Sequence, residues 1–551
     1  MTALNPARSH ILGAIGLALV AVGSYGGGAT RYRGGIVENL GLSWITFGHG
    51  FGMFEALIWV GLVVFLIAWL LLGRRVCFPG LQGSALLADA SRSHRTSTKV
   101  SNTVLSPADG MREITRNLIW WLIPLSLSGP LFSRDVYSYL MQGAMLRDGF
   151  DPYTEGAAVN PGPMLLEVSA DWRNTTTPYG PLHLGLGEVI TRVVGDNITL
   201  GVILYRVVCI AGFLAIVWSI PRIARALGGN PVLAMWLGVL NPLVMLHIIG
   251  GLHNEAVMVG LVSLALVAVL SLPWLQGAVV AAVLIGVGVA LKATAVIALP
   301  FIVWIVVTRK TALDSWGSLF RKIPLVAGIG IALAAIMLAT LAAITWLCGS
   351  TWGWISEISG NTKVINPLAA PSAVAGVIAY VMKWVNDDVT FNIIVSYTRR
   401  VSSVIMLFGL VISWLYFRRS PRHNVMGMIA AYTVACIFNA VALPWYYVSL
   451  LTPIGAVRPP RWVISVTIFS TLLLTLSFAG GGNHRFYDAP WMIIITALSW
   501  LATTWLITGR ARFTAPWREA AVTNSQLSET ATPQSHEMPG TTSADESAKV
   551  K

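Results

Sequence analysis

The sequence predicts an all-α, polytopic membrane protein, and three observations carry that prediction. Of the 551 residues, 55% are hydrophobic and only 11% are charged, against about 25% charged in a soluble domain. Mean hydropathy is +0.69, and the apolar residues gather in runs close to the roughly 20 that a helix needs to cross about 30 Å of hydrocarbon. The basic residues punctuate those runs. A chain this apolar cannot cover its core with polar surface, so lipid is its solvent, and helices satisfy their own backbone there. The 22 tryptophans suit bilayer interfaces. A net charge of +13 would suit nucleic acid if it formed one patch; scattered between apolar runs, it excludes that partner. Cys77, Cys209, Cys348 and Cys436 are dispersed without CxxC or zinc spacing, so no disulfide or metal framework is implied.

Taken in order, the first apolar run, Ile11 to Tyr25, follows Arg8 and lacks a small-residue cleavage site, so it reads as an uncleaved signal anchor. Spans are expected near 11–28, 52–72, 117–132, 199–220, 231–250, 255–272, 274–291, 293–308, 323–347, 399–417, 424–443, 445–457, 461–479 and 490–508, giving about 13–15 transmembrane helices. The stretches 181–195, with Glu188 and Arg192, and 366–384, with Lys383, read as interfacial or re-entrant. With the N-terminus inside, 24 of the 37 Lys and Arg residues fall on the inner side and 12 on the outer, with Arg206 inside a span. The acids invert, and the basic bias sets the orientation.

The resulting organisation has an anchor and short outer loop (1–51), then two spans around a basic inner loop, 73–116, within 52–132. An outer loop with interfacial helices follows (133–198), then a central bundle (199–347). A second outer loop (348–398), a C-terminal bundle (399–508) and a polar tail (509–551), read as disordered, complete the chain.

The chemistry-bearing residues collect on the outer side. After the third span comes FSRDVYSYLMQGAMLRDGFDPYTEG. Ser133 suits an N-cap, Arg134 to Arg147 a helix, and Gly149 the position after its end. Asp135, Tyr139 and Gln142 then share one face at i, i+4 and i+7. His253, Asn254 and Glu255 stand in GLHNEA between two spans. Lys292 is alone among apolar residues in ALKATA, and Pro444–Tyr447 (PWYY), His484 and Arg485 lie near the C-terminus. Each has a simpler account. Asp135 could complement a helix dipole, Lys292 could snorkel, His253 to Glu255 could cap a helix, and the aromatics could form an interface belt. Asp148 and Asp151 in DGFDPY read as turn residues.

A carboxylate, a cation and interfacial helices at one membrane surface suit glycosyl transfer from a lipid-linked sugar phosphate. The leaving phosphate is already a stable anion, so a cation replaces a general acid, and one base takes the acceptor proton. A glycoside hydrolase would instead need two carboxylates flanking the bond.

The strings SRDVYSYLMQGAMLRDGFDPYTEG and WRNTTTPYGPLHL resemble the actinobacterial polyprenol-phosphate-mannose-dependent α-1,6-mannosyltransferases of the Mpt type, members of the GT-C glycosyltransferase class. The resemblance is densest over 132–183 and extends to the HNE site; the tail lies outside it. It implies a GT-C fold and maps the catalytic base onto Asp135. It also implies inversion at the anomeric centre, polyprenyl-phosphate mannose as donor, and a lipomannan or lipoarabinomannan acceptor. The GT-C class often carries a paired acidic motif; here Arg134-Asp135-Val136 stands in its place, so Asp135 acts alone or with Glu255. Lys292, with Arg399 or Arg485, is assigned to the donor phosphate. His253, Asn254 and Glu255 are assigned to sugar or acceptor hydroxyls or to supporting Asp135. Tyr139, Trp172, Tyr179 and Trp445 are assigned to stacking on sugar, and Arg134, His183 and His484 complete the expected substrate-binding set. No metal or cofactor is expected; the partners are the lipid-linked donor, the mannan acceptor and membrane lipids, at the plasma membrane with the site outside. The rival readings are another GT-C glycosyltransferase that uses a different polyprenyl-phosphate sugar, a lipid-linked sugar transporter or flippase, with Arg206 its only intramembrane candidate, and a non-catalytic scaffold.

Overall fold

The computed structural model describes residues 8–78, 105–360, 365–384 and 390–507. Most of the basic inner loop and the polar tail lie outside the described residues. Within them the chain is helical, apart from one isolated antiparallel bridge between Phe478 and His484.

Among the described residues, seven helices are long and apolar enough to cross a membrane: Ser9–Gly27, Gly48–Val76, Ile198–Ala226, Trp274–Leu291, Ile323–Leu347, Phe391–Tyr416 and Ala489–Ile507. The pair Pro231–Val239 and Pro242–Gly250, bent by 53°, makes an eighth candidate. The protein is a multi-pass membrane protein. Several other expected spans are apolar helices that fall short, among them Glu255–Ser271, Ala293–Thr308 and Arg461–Thr475. The expected span 445–457 is instead three short pieces, Pro444–Tyr447, Val448–Ile454 and Gly455–Val457. Hydropathy counts apolar residues but does not register where the backbone unwinds to deliver polar ones.

Boundaries differ in two further places. Pro107–Ser126 starts inside the expected inner loop, because Ser106 caps it and accepts from Asp109 N–H. Phe391–Tyr416 starts before 399, which puts Arg399 and Arg400 within a helix. The two ambiguous stretches are the separate helices Pro181–Val194 and Ala370–Met382.

The bent pair is the centre of the molecule; every residue from 231 to 250 is buried. A helix apolar all round belongs in such a position. Its break is satisfied locally. Pro242 has no N–H to offer, while Asn241 donates to Leu237 O at 3.0 Å and Thr471 Oγ1 at 2.9 Å and accepts from Leu243 N–H at 3.0 Å. In a membrane such a break is tolerated only where protein groups take up the freed backbone positions. The pair leads directly into Gly251–Asn254, and so brings the HNE residues to the site.

Candidate active site

Asp135 opens the helix Asp135–Arg147, one position after the expected start. Ser133 does not cap the helix; its Oγ accepts the N–H of Asp135 itself at 3.1 Å. Gly149, at φ +90°, holds the left-handed position after the C-cap. The approach to the helix is clamped by Leu131 N–H to Gly250 O at 3.0 Å and Phe132 N–H to Gly480 O at 2.7 Å. Phe132 and Leu252 have φ of +62° and +58°. For side chains of this size that costs of order 1–2 kcal/mol each, and such strain collects where a site needs a fixed geometry. Here it aims Asp135 and His253 at one another.

His253 Nδ1 lies 3.5 Å from Asp135 Oδ2. The ring is fully buried and stacks on Trp445 with centroids 3.7 Å apart. Burial pushes the Asp135 carboxyl up, but the adjacent His253, the Ser133 contact and the charge of Lys292 outweigh it and hold the carboxyl below its usual range. Asp135 is therefore ionised at neutral pH. The Tyr139 hydroxyl sits 3.4 Å from the same oxygen, Oδ2.

A second chain of contacts starts at Lys292, where the backbone turns extended between Trp274–Leu291 and Ala293–Ala298. Its ammonium donates to Glu255, which is 1% exposed, and to Asn254 Oδ1 at 3.4 Å. Asn254 Nδ2 lies 3.3 Å from His183 Nδ1, and His183 Nε2 lies 3.2 Å from Gln142 Oε1. Burial, with help from the Lys292 charge, pushes the His183 ring down to about 3, so it is neutral. One tautomer then fits both neighbours: Nδ1 accepts from Asn254 and Nε2–H donates to the Gln142 oxygen. The Thr177 hydroxyl donates to that oxygen as well, at 3.2 Å. The chain thus returns to the helix of Asp135, on the face shared by Asp135, Tyr139 and Gln142.

That face opens on a cavity of about 590 Å³ lined by Asp135, Tyr139, Gln142, Trp172, Tyr179, Lys292, Arg399, Arg400 and Tyr446, a size typical of small-molecule sites. The Lys292 ammonium lies 4.7 Å from the Tyr446 ring centroid and 5.4 Å from that of Tyr179. Ile358, from the short helix Trp354–Gly360, joins the lining, and the Thr176 hydroxyl donates to Glu357 of that helix. The cavity holds one ionised carboxylate, three cationic side chains and aromatic walls.

The expected residues separate into three groups. Asp135, Tyr139, Trp172, Tyr179 and Lys292 line the cavity. His183, His253, Asn254, Glu255 and Trp445 are buried and not among its lining residues; they position the first group, and Trp445 stacks on His253 rather than lining the cavity. Arg134, His484 and Arg485 do not reach it. Arg134 pairs with Glu167 at 2.7 Å and donates to Thr30 O, because its position next to Asp135 turns it about 100° around the helix. Arg485 pairs with Asp488 in its own turn, and His484 packs against Phe486 with centroids 5.3 Å apart. Asp148 pairs with Arg147, and Asp151 accepts from Tyr153 N–H at 2.9 Å, both as local turn residues. Beside Ser138, Thr175, Thr176, Ser396, Ser403 and Asn439, to which the sequence reading gave no role, the lining holds Arg400 and Tyr446, which were given none either. Their signals were their neighbours: Arg399 was named without Arg400, and Trp445 without Tyr446. Among the described residues, no group of three His, Cys, Asp or Glu side chains could hold a metal ion.

The helix of Asp135 is set by close backbone contact. A Cβ on Gly143 would lie 2.1 Å from the carbonyl carbon of Gly187 in Pro181–Val194. Gly143→Ala is therefore expected to cost about 1–3 kcal/mol through overpacking, read as a lower thermal midpoint of the purified protein. Unchanged melting would mean that the two helices separate freely.

The profile described as alpha-(1->6)-mannopyranosyltransferase, N-terminal domain, matches residues 10–308, and that described as MptB C-terminal domain matches residues 370–508. The chain is 48% identical over 492 residues to alpha-(1->6)-mannopyranosyltransferase A of Corynebacterium glutamicum, covering 88% of this chain and 95% of that protein. It is 35% identical to alpha-(1->6)-mannopyranosyltransferase A of Mycobacterium tuberculosis, with 92% and 90% covered. Alpha-(1->6)-mannopyranosyltransferase B of C. glutamicum is 26% identical, with 81% of this chain and 72% of that protein covered. With both profiles matched in order and relatives aligned over nearly their full length, this chain belongs to the alpha-(1->6)-mannopyranosyltransferase family.

Proposed function

We propose that this protein transfers mannose from polyprenyl-phosphate mannose to the α-1,6-mannan of lipomannan and lipoarabinomannan, on the extracytoplasmic face of the plasma membrane. The observation that carries the reading is the convergence of Asp135 and Lys292, from distant parts of the chain, on one cavity beside aromatic walls. The acceptor 6-hydroxyl oxygen attacks the anomeric carbon on the face opposite the phosphate. Its proton passes to Asp135, the bond from the anomeric carbon to the phosphate oxygen breaks, and the phosphate leaves with the bonding electrons. The anomeric centre inverts, so a β-linked donor yields an α-mannoside. Lys292, Arg399 and Arg400 supply the positive charge for the departing polyprenyl phosphate. The reading routes no step through a metal ion. Trp172 and Tyr179 offer apolar ring surface to the sugars, with the buried Tyr139 packed against Tyr179.

The test is reconstitution of the purified protein with polyprenyl-phosphate mannose and a short α-1,6-mannoside. A lengthened product with a new α-1,6 linkage is expected. Donor movement across the bilayer without a new glycosidic bond would turn the reading into transport.

The pH dependence has a definite sign. Transfer needs ionised Asp135, so the rate falls as pH drops through the lowered carboxyl pKa, below the ordinary value of about 3.9. His253→Gln removes the neighbour that lowers it, so the acid limb of the pH–rate profile is expected to move to higher pH. A slower enzyme with an unmoved limb would leave His253 a packing role only.

A further inference from the structure

A second crevice, of about 330 Å³, lies on the other side of the Asp135 helix. It is lined by Arg31, Arg206, Tyr137, Leu127, Val202 and Ile203, among others. Arg206 belongs to the apolar helix Ile198–Ala226 and is 8% exposed. Its Nη1 donates to the carbonyl oxygens of Ser126 and Ser128, and its Nε is buried with no partner. Among the described residues no carboxylate lies within ion-pair distance of it. A guanidinium buried without a counter-charge is costly at membrane depth and marks a site by default.

The charge balance around it points the same way. Arg31 lies 3.7 Å from Glu167, and Arg134 pairs with the same carboxylate at 2.7 Å. Glu167 therefore answers two guanidiniums, while Arg206, which lines the same crevice as Arg31, is paired with no carboxylate among the described residues. The exposed Glu38 is taken up by the N–H of Gly34. The neutral groups are also engaged: the Tyr25 hydroxyl donates to Leu127 O at 2.8 Å and the Tyr137 hydroxyl to Ala29 O at 2.9 Å. What remains on offer is positive charge. The rim is apolar and turned outward, with Leu127 68%, Ile203 51% and Ile36 47% exposed, as suits side chains facing hydrocarbon.

The geometry points to a binding site for an anionic glycerophospholipid, its phosphodiester on Arg206 and Arg31 and its acyl chains against Leu127, Val202 and Ile203. The site is separate from the reaction cavity, and the two share one helix: Tyr137 faces the crevice, while Asp135, Tyr139 and Gln142 face the cavity. It does not depend on which sugar the protein transfers.

The test is native mass spectrometry of the full chain, purified in detergent and titrated with phosphatidylglycerol, phosphatidylcholine or inorganic phosphate. The wild type is expected to retain one phosphatidylglycerol more tightly than phosphatidylcholine, with no displacement by inorganic phosphate. Arg206→Gln removes a charge-assisted contact and is expected to weaken that retention roughly tenfold or more. Because Arg206 also holds two carbonyls, Arg31→Gln and Ile203→Trp are tested beside it. The first sits at a partly exposed side chain and the second at an exposed one, where the bundle tolerates the change. Loss of the tight lipid in both supports the site. Unchanged retention in both overturns it, and displacement by inorganic phosphate replaces it with a site for a soluble anion.

Discussion

Asp135→Asn is expected to abolish mannosyl transfer, lowering turnover roughly 10²–10⁴-fold, the range for loss of a positioned general base. The amide has the size of the carboxylate and keeps an oxygen that can accept from the Ser133 side chain, whose Oγ still accepts the backbone N–H of residue 135, so folding stays intact. What goes is the capacity to take the acceptor proton. Asp135→Glu keeps that capacity but moves the carboxylate by one methylene, and a misplacement of about 1 Å can cost about 10²-fold. The measurement is single-turnover mannose transfer by protein whose melting matches wild type. Two other acids lie near the site and neither is in the cavity lining: Glu255 is 1% exposed and bound to Lys292, and Glu357 accepts from the Thr176 hydroxyl. An Asn variant that turns over at near the wild-type rate would sink the assignment of the base.

Lys292→Ala is expected to fail on two counts, and a second variant separates them. Lys292 and Glu255 form a buried ion pair. Removing one member leaves an uncompensated charge, which costs about 3–5 kcal/mol, so the single variant should melt well below wild type. Removing both charges in Glu255→Gln/Lys292→Met takes away that penalty and should restore most of the stability. It does not restore the ammonium beside Tyr179 and Tyr446. If that ammonium holds the donor phosphate, a charge-assisted contact worth about 1.5–3 kcal/mol is gone, and the donor KM should rise about 10- to 100-fold. Recovery of both stability and donor KM in the double variant would reduce Lys292 to a structural partner of Glu255.

The reaction cavity and the second crevice sit on either side of one helix, Asp135–Arg147. The strained Phe132 and Leu252 and the clamps at Gly250 and Gly480 fix where that helix begins. The contact of Gly143 with Gly187 fixes how it lies. The reacting carboxylate is thus positioned by backbone from three separate segments, which is why changes remote from the cavity are expected to alter turnover.

The amino-acid sequence by itself determined the solvent, the helical class and the local form of the Asp135 segment. Apolar run length and charge placement are properties of consecutive residues, and a carboxylate in the first helical turn with Tyr139 and Gln142 on its face follows from the 3.6-residue period. The string around Asp135 was also enough to suggest the family. Only the tertiary structure decided which charges meet. Lys292 reads as a lone cation in its own segment, yet it pairs with Glu255 from the start of Glu255–Ser271 and, through Asn254, His183 and Gln142, connects back to the helix of Asp135. Arg134 adjoins Asp135 in sequence and faces away from the cavity, toward Glu167. Nor does hydropathy reveal that the run 445–457 folds as an α-helical stretch between two short 3₁₀ pieces, or that Arg400 and Tyr446 join the lining. The reason is physical: periodicity fixes directions around a single helix axis, whereas convergence depends on how separate helices pack and where their strained connections place the next residue.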